Sequence, residues 1–143
     1  MYTFQTSGKT ISIFSCAGSE CSVIYLNTFS NEGQNVYEAA QAASCPPFTL
    51  VAISDLDWNH DMAPWDSPPA FKNADPCTGG ADDYLQLLTE EIIPMAEKQI
   101  TGVPRWRGIA GTLWPGCLHC TAFTRRICSP VWAVCLGLSG FPE

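Results

Sequence analysis

Residues 54–66, SDLDWNHDMAPWD, concentrate side chains that could do chemistry. Carboxylates and an imidazole at this spacing could bind a metal ion or line the rim of a substrate pocket. A structural role is the alternative, because aspartates satisfy backbone groups in loops and tryptophans can anchor a loop to the protein. Spacing alone does not make ligands converge, so we expect no metal and no cofactor. The residues expected to line a pocket are Asp57, Trp58, His60 and Asp61.

A second cluster lies near the end of the chain and consists of Cys117, His119, Cys120 and Cys128. Thiolates and imidazoles are the usual ligands of zinc, but structural zinc sites carry two paired ligand clusters. Here the second pair is missing or badly spaced. The pattern therefore favours buried or incidental thiols over a zinc site.

Residues 107–111, RGIAG, form a short apolar run that leads into a glycine-bounded turn. A nucleophile elbow has this setting, with a serine on a strained strand-to-helix turn and backbone N–H groups close to the oxyanion. Leu113 occupies the nucleophile position in this sequence. A leucine side chain can neither attack a carbonyl nor donate a proton, so the site as written lacks its nucleophile.

The elements that must position these residues are predicted first from runs of apolar and β-branched residues, which are typical of strands. The runs are 10–14, 22–26, 48–53 and 107–111. Residues 17–20, AGSE, indicate a hairpin-like connection between the first two strands. The third run is apolar throughout, as expected of a strand buried on both faces.

Helices are predicted between these strands. Alanines and a valine recur at helical spacing over 35–43. Asp82 and Asp83 open a second helix, which Pro94 should kink or divide into two pieces. The residues from 54 to about 80 are expected to form a long loop. This alternation predicts an α/β fold, with a mainly parallel sheet flanked by helices.

In open α/β sheets, ligands gather at the carboxyl ends of the strands. Three segments are expected there: 27–31 after the second predicted strand, 54–66 after the third, and the turn after Gly111. Any active site of this chain should therefore lie where these segments meet.

Composition limits the classes of function. The 143 residues fit one domain, and a hydrophobic fraction of 46% can form a buried core. A net charge of −7 repels phosphate backbones and argues against nucleic-acid binding. The longest apolar stretch, 130–141, is shorter than the roughly 20 residues that a membrane-spanning helix needs. No signal peptide is visible, so we expect no membrane association and a cytoplasmic location.

The stretch from LVAISDLDWNHDMAPWD to RWRGIAG resembles the esterase family of α/β-hydrolases that contains siderophore-ester esterases and esterase-D-like serine hydrolases. The resemblance runs from about residue 11 to residue 111 and is most specific in the DLDWNHDMAPWD loop. It implies an α/β-hydrolase fold and a Ser-Asp/Glu-His triad that hydrolyses small-molecule carboxylic esters through an acyl-enzyme. It also implies an oxyanion hole, whose candidate donors are the backbone N–H groups of Thr28, Phe29 and Trp114.

The chain departs from this family after Gly111. Family members carry an elbow resembling G-Y-S-L-A-G, whereas this chain has G-T-L-W-P-G, and it ends before the region that carries the family's acid and histidine. The expectation is therefore an incomplete α/β-hydrolase fold that lacks its C-terminal part. Residues 1–143 would form a single partial domain, with 1–111 family-like and 112–140 an aberrant tail.

A shift of reading frame accounts for this departure. Codons for TLWPGCLHCT can be chosen so that one additional T gives YSLAGLFALY, which restores the elbow and an apolar helix. Shifted leucine and phenylalanine codons often encode cysteine, which explains why four of the eight cysteines follow residue 111. The alternative is a genuinely divergent, non-catalytic tail.

Two functions follow from these residues. The first is a serine esterase whose chain as written is inactive, because Leu113 stands in place of the nucleophile. The second is a non-catalytic binding or scaffold fragment of α/β-hydrolase origin, which keeps a pocket without the nucleophile.

Overall fold

The structure, a computed structural model, describes residues 1–18, 21–69, 72–111 and 131–133. The strands among these residues are β1 (Tyr2–Thr6), β2 (Lys9–Phe14), β3 (Ser22–Asn27), β4 (Phe48–Ser54), β5 (Asp66–Ser67), β6 (Cys77–Thr78), β7 (Arg107–Gly111) and β8 (Val131–Ala133). A central sheet has the order β1-β2-β4-β3-β7-β8, and β5 pairs with β6 in a small separate ladder.

The central sheet is mixed. β4, β3, β7 and β8 run parallel to one another, whereas β2 is antiparallel to both β4 and β1. The predicted α/β class is confirmed. The sheet is less parallel than predicted because an antiparallel hairpin, β1–β2, forms one side of it.

The prediction of a hairpin-like connection at 17–20 is wrong. β2 and β3 do not pair with each other, because β4 lies between them and pairs with both. β4 is buried from Thr49 to Ile53. A strand that is buried on both faces is most stable with a neighbour on each side, and this preference outweighs the short connection between β2 and β3.

β1 was not predicted, because its segment of the sequence is polar. Ser7 and Gly8, with φ of 48° and 75°, form the tight turn that joins it to β2. Phe4 packs against the core on one face. On the other face the Thr3 and Ser12 hydroxyls form a hydrogen bond of 3.3 Å across the pair.

The helical elements are α1 (Glu32–Ala42), α2 (Trp58–Asp61), α3 (Ala81–Leu87), a π-helical turn (Leu88–Ile92) and α4 (Ile93–Glu97). α1 begins three residues before the predicted start at residue 35. α2, β5 and β6 lie in the segment that was predicted to be a loop. None of the described helices is long and apolar enough to cross a membrane.

The division expected at Pro94 is present as the π-helical turn between α3 and α4. Proline has no backbone N–H, so the α-helical hydrogen bond to the residue four positions earlier cannot form. One residue before Pro94, the Ile93 N–H donates to Leu88 O, five residues back. The single wide turn keeps α3 and α4 in one continuous helical segment.

The sheet buries apolar side chains on both faces. The face under α3 and α4 carries the larger cluster, formed by Ile11, Ile13, Val23, Tyr25, Val51, Ile53, Leu88, Ile92, Ala96 and Ile109. The face under α1 carries a smaller cluster of Phe14, Leu50 and Ala52, with half-buried neighbours that include Ile24 and Leu26. Among the described residues, the two clusters are therefore unequal in size.

Candidate functional site

The carboxyl ends of β3, β4 and β7 meet at one edge of the sheet. In the parallel register, Asn27 lies beside Ile53 on one side and beside Gly111 on the other. The segments after β3 and β4 therefore begin next to each other, and Gly111, the last residue before the predicted elbow, lies beside the end of β3.

Thr28 anchors the segment that follows β3. It is buried, and its backbone N–H donates to Ile53 O at 2.9 Å. Its hydroxyl contacts the same carbonyl at 3.0 Å and Ser30 O at 3.2 Å. The Thr28 amide thus already has a hydrogen-bond partner in this structure.

Phe29 and Trp58 connect the segments after β3 and β4. Their rings stack with centroids 4.3 Å apart and an interplanar angle of 16°. Phe29 is 48% exposed, so one side of this aromatic pair faces solvent at the edge of the site. Trp58 thereby connects its loop to the segment after β3.

Asp61 holds the acidic loop in place. It is buried and forms an ion pair with Lys9 of β2. The same carboxylate oxygen accepts a hydrogen bond of 2.9 Å from the Asp57 N–H. Since a lysine and a backbone amide occupy it, Asp61 serves the structure of the loop.

His60 points to the β5–β6 ladder. Its Nδ1 lies 2.8 Å from the Thr78 hydroxyl, and its carbonyl accepts a hydrogen bond of 2.8 Å from Gly80 N–H. A Cβ at Gly80 would lie 2.2 Å from His60 Nε2, so a larger residue there would require the imidazole to move. Among the described residues, no group of three or more His, Cys, Asp or Glu side chains is arranged to hold a metal ion.

Sequence reasoning missed a buried polar pair, Asn27 and Tyr84. The Tyr84 hydroxyl donates to Asn27 Oδ1 at 2.5 Å, and Asn27 Nδ2 lies 3.9 Å from Met62 Sδ. Burial, and to a lesser extent the negative charge of Asp61, raises the pKa of Tyr84 far above its usual range, so the phenol stays protonated. A polar residue that ends a buried strand, such as Asn27, is the signal that could have identified this pair.

Leu113, Trp114 and the four tail residues of the C-x-H-C cluster lie outside the described residues. The structure thus brings together Thr28, Phe29, Asp57, Trp58, His60 and Asp61 as two segments at the same sheet edge. Asp61 and His60 are committed to contacts within the protein, while the ring of Phe29 borders the open edge.

Comparisons with known proteins agree with this architecture. No family model and no curated protein matches the sequence. Among solved structures, the BES protein from Bacillus cereus superposes with a TM-score of 0.59 and 18% identity, over 78% of this chain and 53% of that protein. The siderophore hydrolase EstA from Aspergillus nidulans superposes with a TM-score of 0.54 and 15% identity, over 78% of this chain and 47% of that protein.

The chain therefore has an α/β fold that it shares with these two structures. At this level of identity the likeness concerns the fold alone. The chain spans about half the length of either structure. The likeness of fold agrees with the α/β class that the sequence predicted.

Proposed function

We propose that this chain belongs to a serine esterase that cleaves small-molecule carboxylic esters through an acyl-enzyme, and that the chain as written is inactive. The observation that carries the proposal is the meeting of β3, β4 and β7 at one edge, with Gly111 beside Asn27. A serine two residues after Gly111 would project above this edge, in the position of a nucleophile elbow. Leu113 stands there instead.

The oxyanion hole in this proposal uses two backbone amides. The amide that follows the nucleophile position belongs to Trp114, and the second comes from the segment after β3. Of the two candidates in that segment, Thr28 already donates its N–H to Ile53 O. Phe29 is the other candidate in that segment.

A substrate would lie against the exposed face of the Phe29 ring, with its carbonyl carbon close to position 113. Attack by a serine hydroxyl there would form a tetrahedral intermediate, and the two amides would stabilise its negative oxygen. Departure of the alcohol leaves an acyl-enzyme, which water then hydrolyses. Leucine has no oxygen that could attack the ester. Any remaining rate enhancement would come only from substrate binding and from the oxyanion hole.

The proposal includes the frame shift as the origin of residues 112–140. It also retains a cytoplasmic location, where the reducing pool keeps thiols free. In the structure Cys16 and Cys21 form a disulfide, whereas Cys45 and Cys77 are free. On this proposal the Cys16–Cys21 bond is reduced in the cell, and trapping thiols in fresh lysate should label both cysteines.

A serine-directed fluorophosphonate probe tests the proposal. The protein as written should remain unlabelled, and the product of the gene with the frame restored should be labelled at the serine that replaces Leu113. Changing that serine to alanine should abolish labelling. Absence of labelling in a folded, frame-restored protein would instead favour the second candidate function, a non-catalytic binding fragment. The observation that favours this second candidate is Leu113 in the chain as written.

A further inference from the structure

Cys16 and Cys21 lie at the opposite end of the sheet from the candidate site. Cys16 follows β2 and Cys21 precedes β3, so both stand beside the first residues of β4. Their sulfurs are joined in a disulfide, and the two Cα atoms are 6.6 Å apart, within the usual span of such a bond. Both cysteines are half-buried, and neither belongs to the two apolar clusters. The bond therefore lies outside the core.

Strand β4 positions both cysteines independently of the bond between them. β2 and β3 each pair with β4. The Cys16 N–H donates to Thr49 Oγ1 of β4 at 3.3 Å. Cys21 directly precedes Ser22, which lies beside Phe48 in the parallel register. Because the hydrogen bonds of the sheet hold both positions, the two thiols stay close together when the disulfide is reduced.

The carbonyl of Gly18 offers a hydrogen-bond partner to the reduced pair. Its oxygen lies 3.5 Å from Cys16 Sγ and 3.6 Å from Cys21 Sγ. A thiol is a weak donor, and either thiol of the reduced pair can donate to this oxygen at such a distance. The same backbone can therefore accommodate the disulfide and the dithiol.

We infer that Cys16 and Cys21 form a reversible redox site, which glutathione disulfide oxidises and glutathione reduces. One cysteine thiolate attacks a sulfur of glutathione disulfide, forms a mixed disulfide and releases one glutathione thiolate. The other cysteine thiolate then attacks the protein sulfur of the mixed disulfide and releases the second glutathione thiolate. Two electrons pass from the cysteines to glutathione disulfide, and the released thiolates take up the two protons that the cysteine thiols lost.

The positions of the two cysteines decide which oxidised form accumulates. A short flexible link gives two groups an effective concentration in the mM range, and a pair held by a sheet should reach about 10 mM or more. In about 1 mM reduced glutathione, the second cysteine should therefore displace glutathione from the mixed disulfide about tenfold more often than the reverse reaction occurs. The site is oxidised as a pair and does not stay modified by glutathione.

Glutathione redox buffers test this inference on the folded 143-residue chain. Free thiols are blocked with N-ethylmaleimide, and the denatured chain is digested with a protease that cleaves after glutamate. Cleavage after Glu20 separates Cys16 from Cys21. Mass spectrometry then finds the peptides 1–20 and 21–32 joined to each other only where the disulfide is present.

Reduced glutathione should separate the two peptides without a change in the far-ultraviolet circular dichroism of the intact chain, and glutathione disulfide should join them again. In about 1 mM reduced glutathione, the joined peptides should exceed the mixed disulfide of Cys16 at least about tenfold. In Cys21→Ser, the mixed disulfide of Cys16 should become the main oxidised form of peptide 1–20. Cys45→Ser is the matched control, because Cys45 is an exposed free cysteine, and it should change the amount of joined peptides less than about twofold.

Three results would overturn the inference. Joined peptides that persist in about 10 mM reduced glutathione would identify a structural disulfide. Unfolding on reduction would show that the bond, and not β4, holds the two cysteines in place. A mixed disulfide as the main oxidised form of the unaltered chain would show that the two thiols do not stay together.

Discussion

Asn27 and Tyr84 form a buried polar pair next to the predicted elbow. Asn27 ends β3 beside Gly111, and Tyr84 reaches it from α3. Their hydrogen bond fixes the orientation of an amide that lies between the acidic loop and the end of β7. In the proposed function, this pair and position 113 have separate roles: the pair orients the end of β3, and residue 113 determines whether a nucleophile is present.

Tyr84→Phe should destabilise the fold by about 1–2 kcal/mol, because it leaves the buried Asn27 oxygen without its donor. Urea denaturation followed by circular dichroism measures the change. Tyr37→Phe is the control, since the Tyr37 hydroxyl donates to Ser15 O at the surface, and it should cost clearly less. Equal effects of the two changes would contradict the role given to the pair.

Alkaline pH should weaken the fold through Tyr25 and Tyr84. Burial is the main cause that raises the pKa of both phenols far above the ordinary value of about 10, and nearby carboxylates, Glu97 for Tyr25 and Asp61 for Tyr84, raise it further. Below about pH 10 both phenols are neutral in the folded and the unfolded chain, so their stabilising contribution is complete. Above it the unfolded chain loses these protons and the folded chain keeps them, so the free energy of unfolding should fall by about 1 kcal/mol per pH unit for each tyrosine.

Urea titrations at pH 9, 10 and 11 would measure this fall. Tyr84→Phe should remove about half of the decrease in the free energy of unfolding per pH unit. A free energy of unfolding that stays level to pH 11 in the unaltered chain would show that these phenols ionise normally.

At the scale of elements, the Lys9–Asp61 ion pair ties the acidic loop to β2. Lys9 is the first residue of β2, and Asp61 is the last residue of α2. Both side chains are nearly buried, with exposed fractions of 12% and 8%. The pair thereby joins the edge hairpin to the loop that contains Trp58.

Lys9→Met should destabilise the protein by about 3–5 kcal/mol, because it leaves the Asp61 carboxylate buried and unpaired. Lys98→Met, at an exposed position, is the control and should change the free energy of unfolding by less than about 0.5 kcal/mol. Differential scanning calorimetry of the two variants measures both effects. Similar melting temperatures for the two would show that the ion pair contributes little.

The sequence allowed the prediction of elements with a strong local pattern. The apolar runs of β2, β3, β4 and β7 and the break at Pro94 were found because side-chain periodicity and a missing N–H are local properties. The position of β4 between β2 and β3 depends on long-range pairing, which a short connection does not reveal. The Asp61–Lys9 and Tyr84–Asn27 contacts join residues 52 and 57 positions apart, so the candidate site was predicted as segments and not as contacts.

At the scale of the whole molecule, the described residues bury apolar side chains on both faces of the sheet. The larger cluster lies under α3 and α4, and the smaller one lies under α1. The candidate site lies at the carboxyl ends of β3, β4 and β7, beside the acidic loop. The chemistry proposed for this chain depends on one position, residue 113.

Hydrolysis of p-nitrophenyl acetate tests the central proposal most directly. The purified monomeric 143-residue chain should show no turnover above a heat-denatured control, since Leu113 supplies no nucleophile. The product of the frame-restored gene should hydrolyse the ester, and changing its restored serine to alanine should lower the rate by several orders of magnitude. Clear turnover by the 143-residue chain, or none by a folded frame-restored protein, would contradict the proposal.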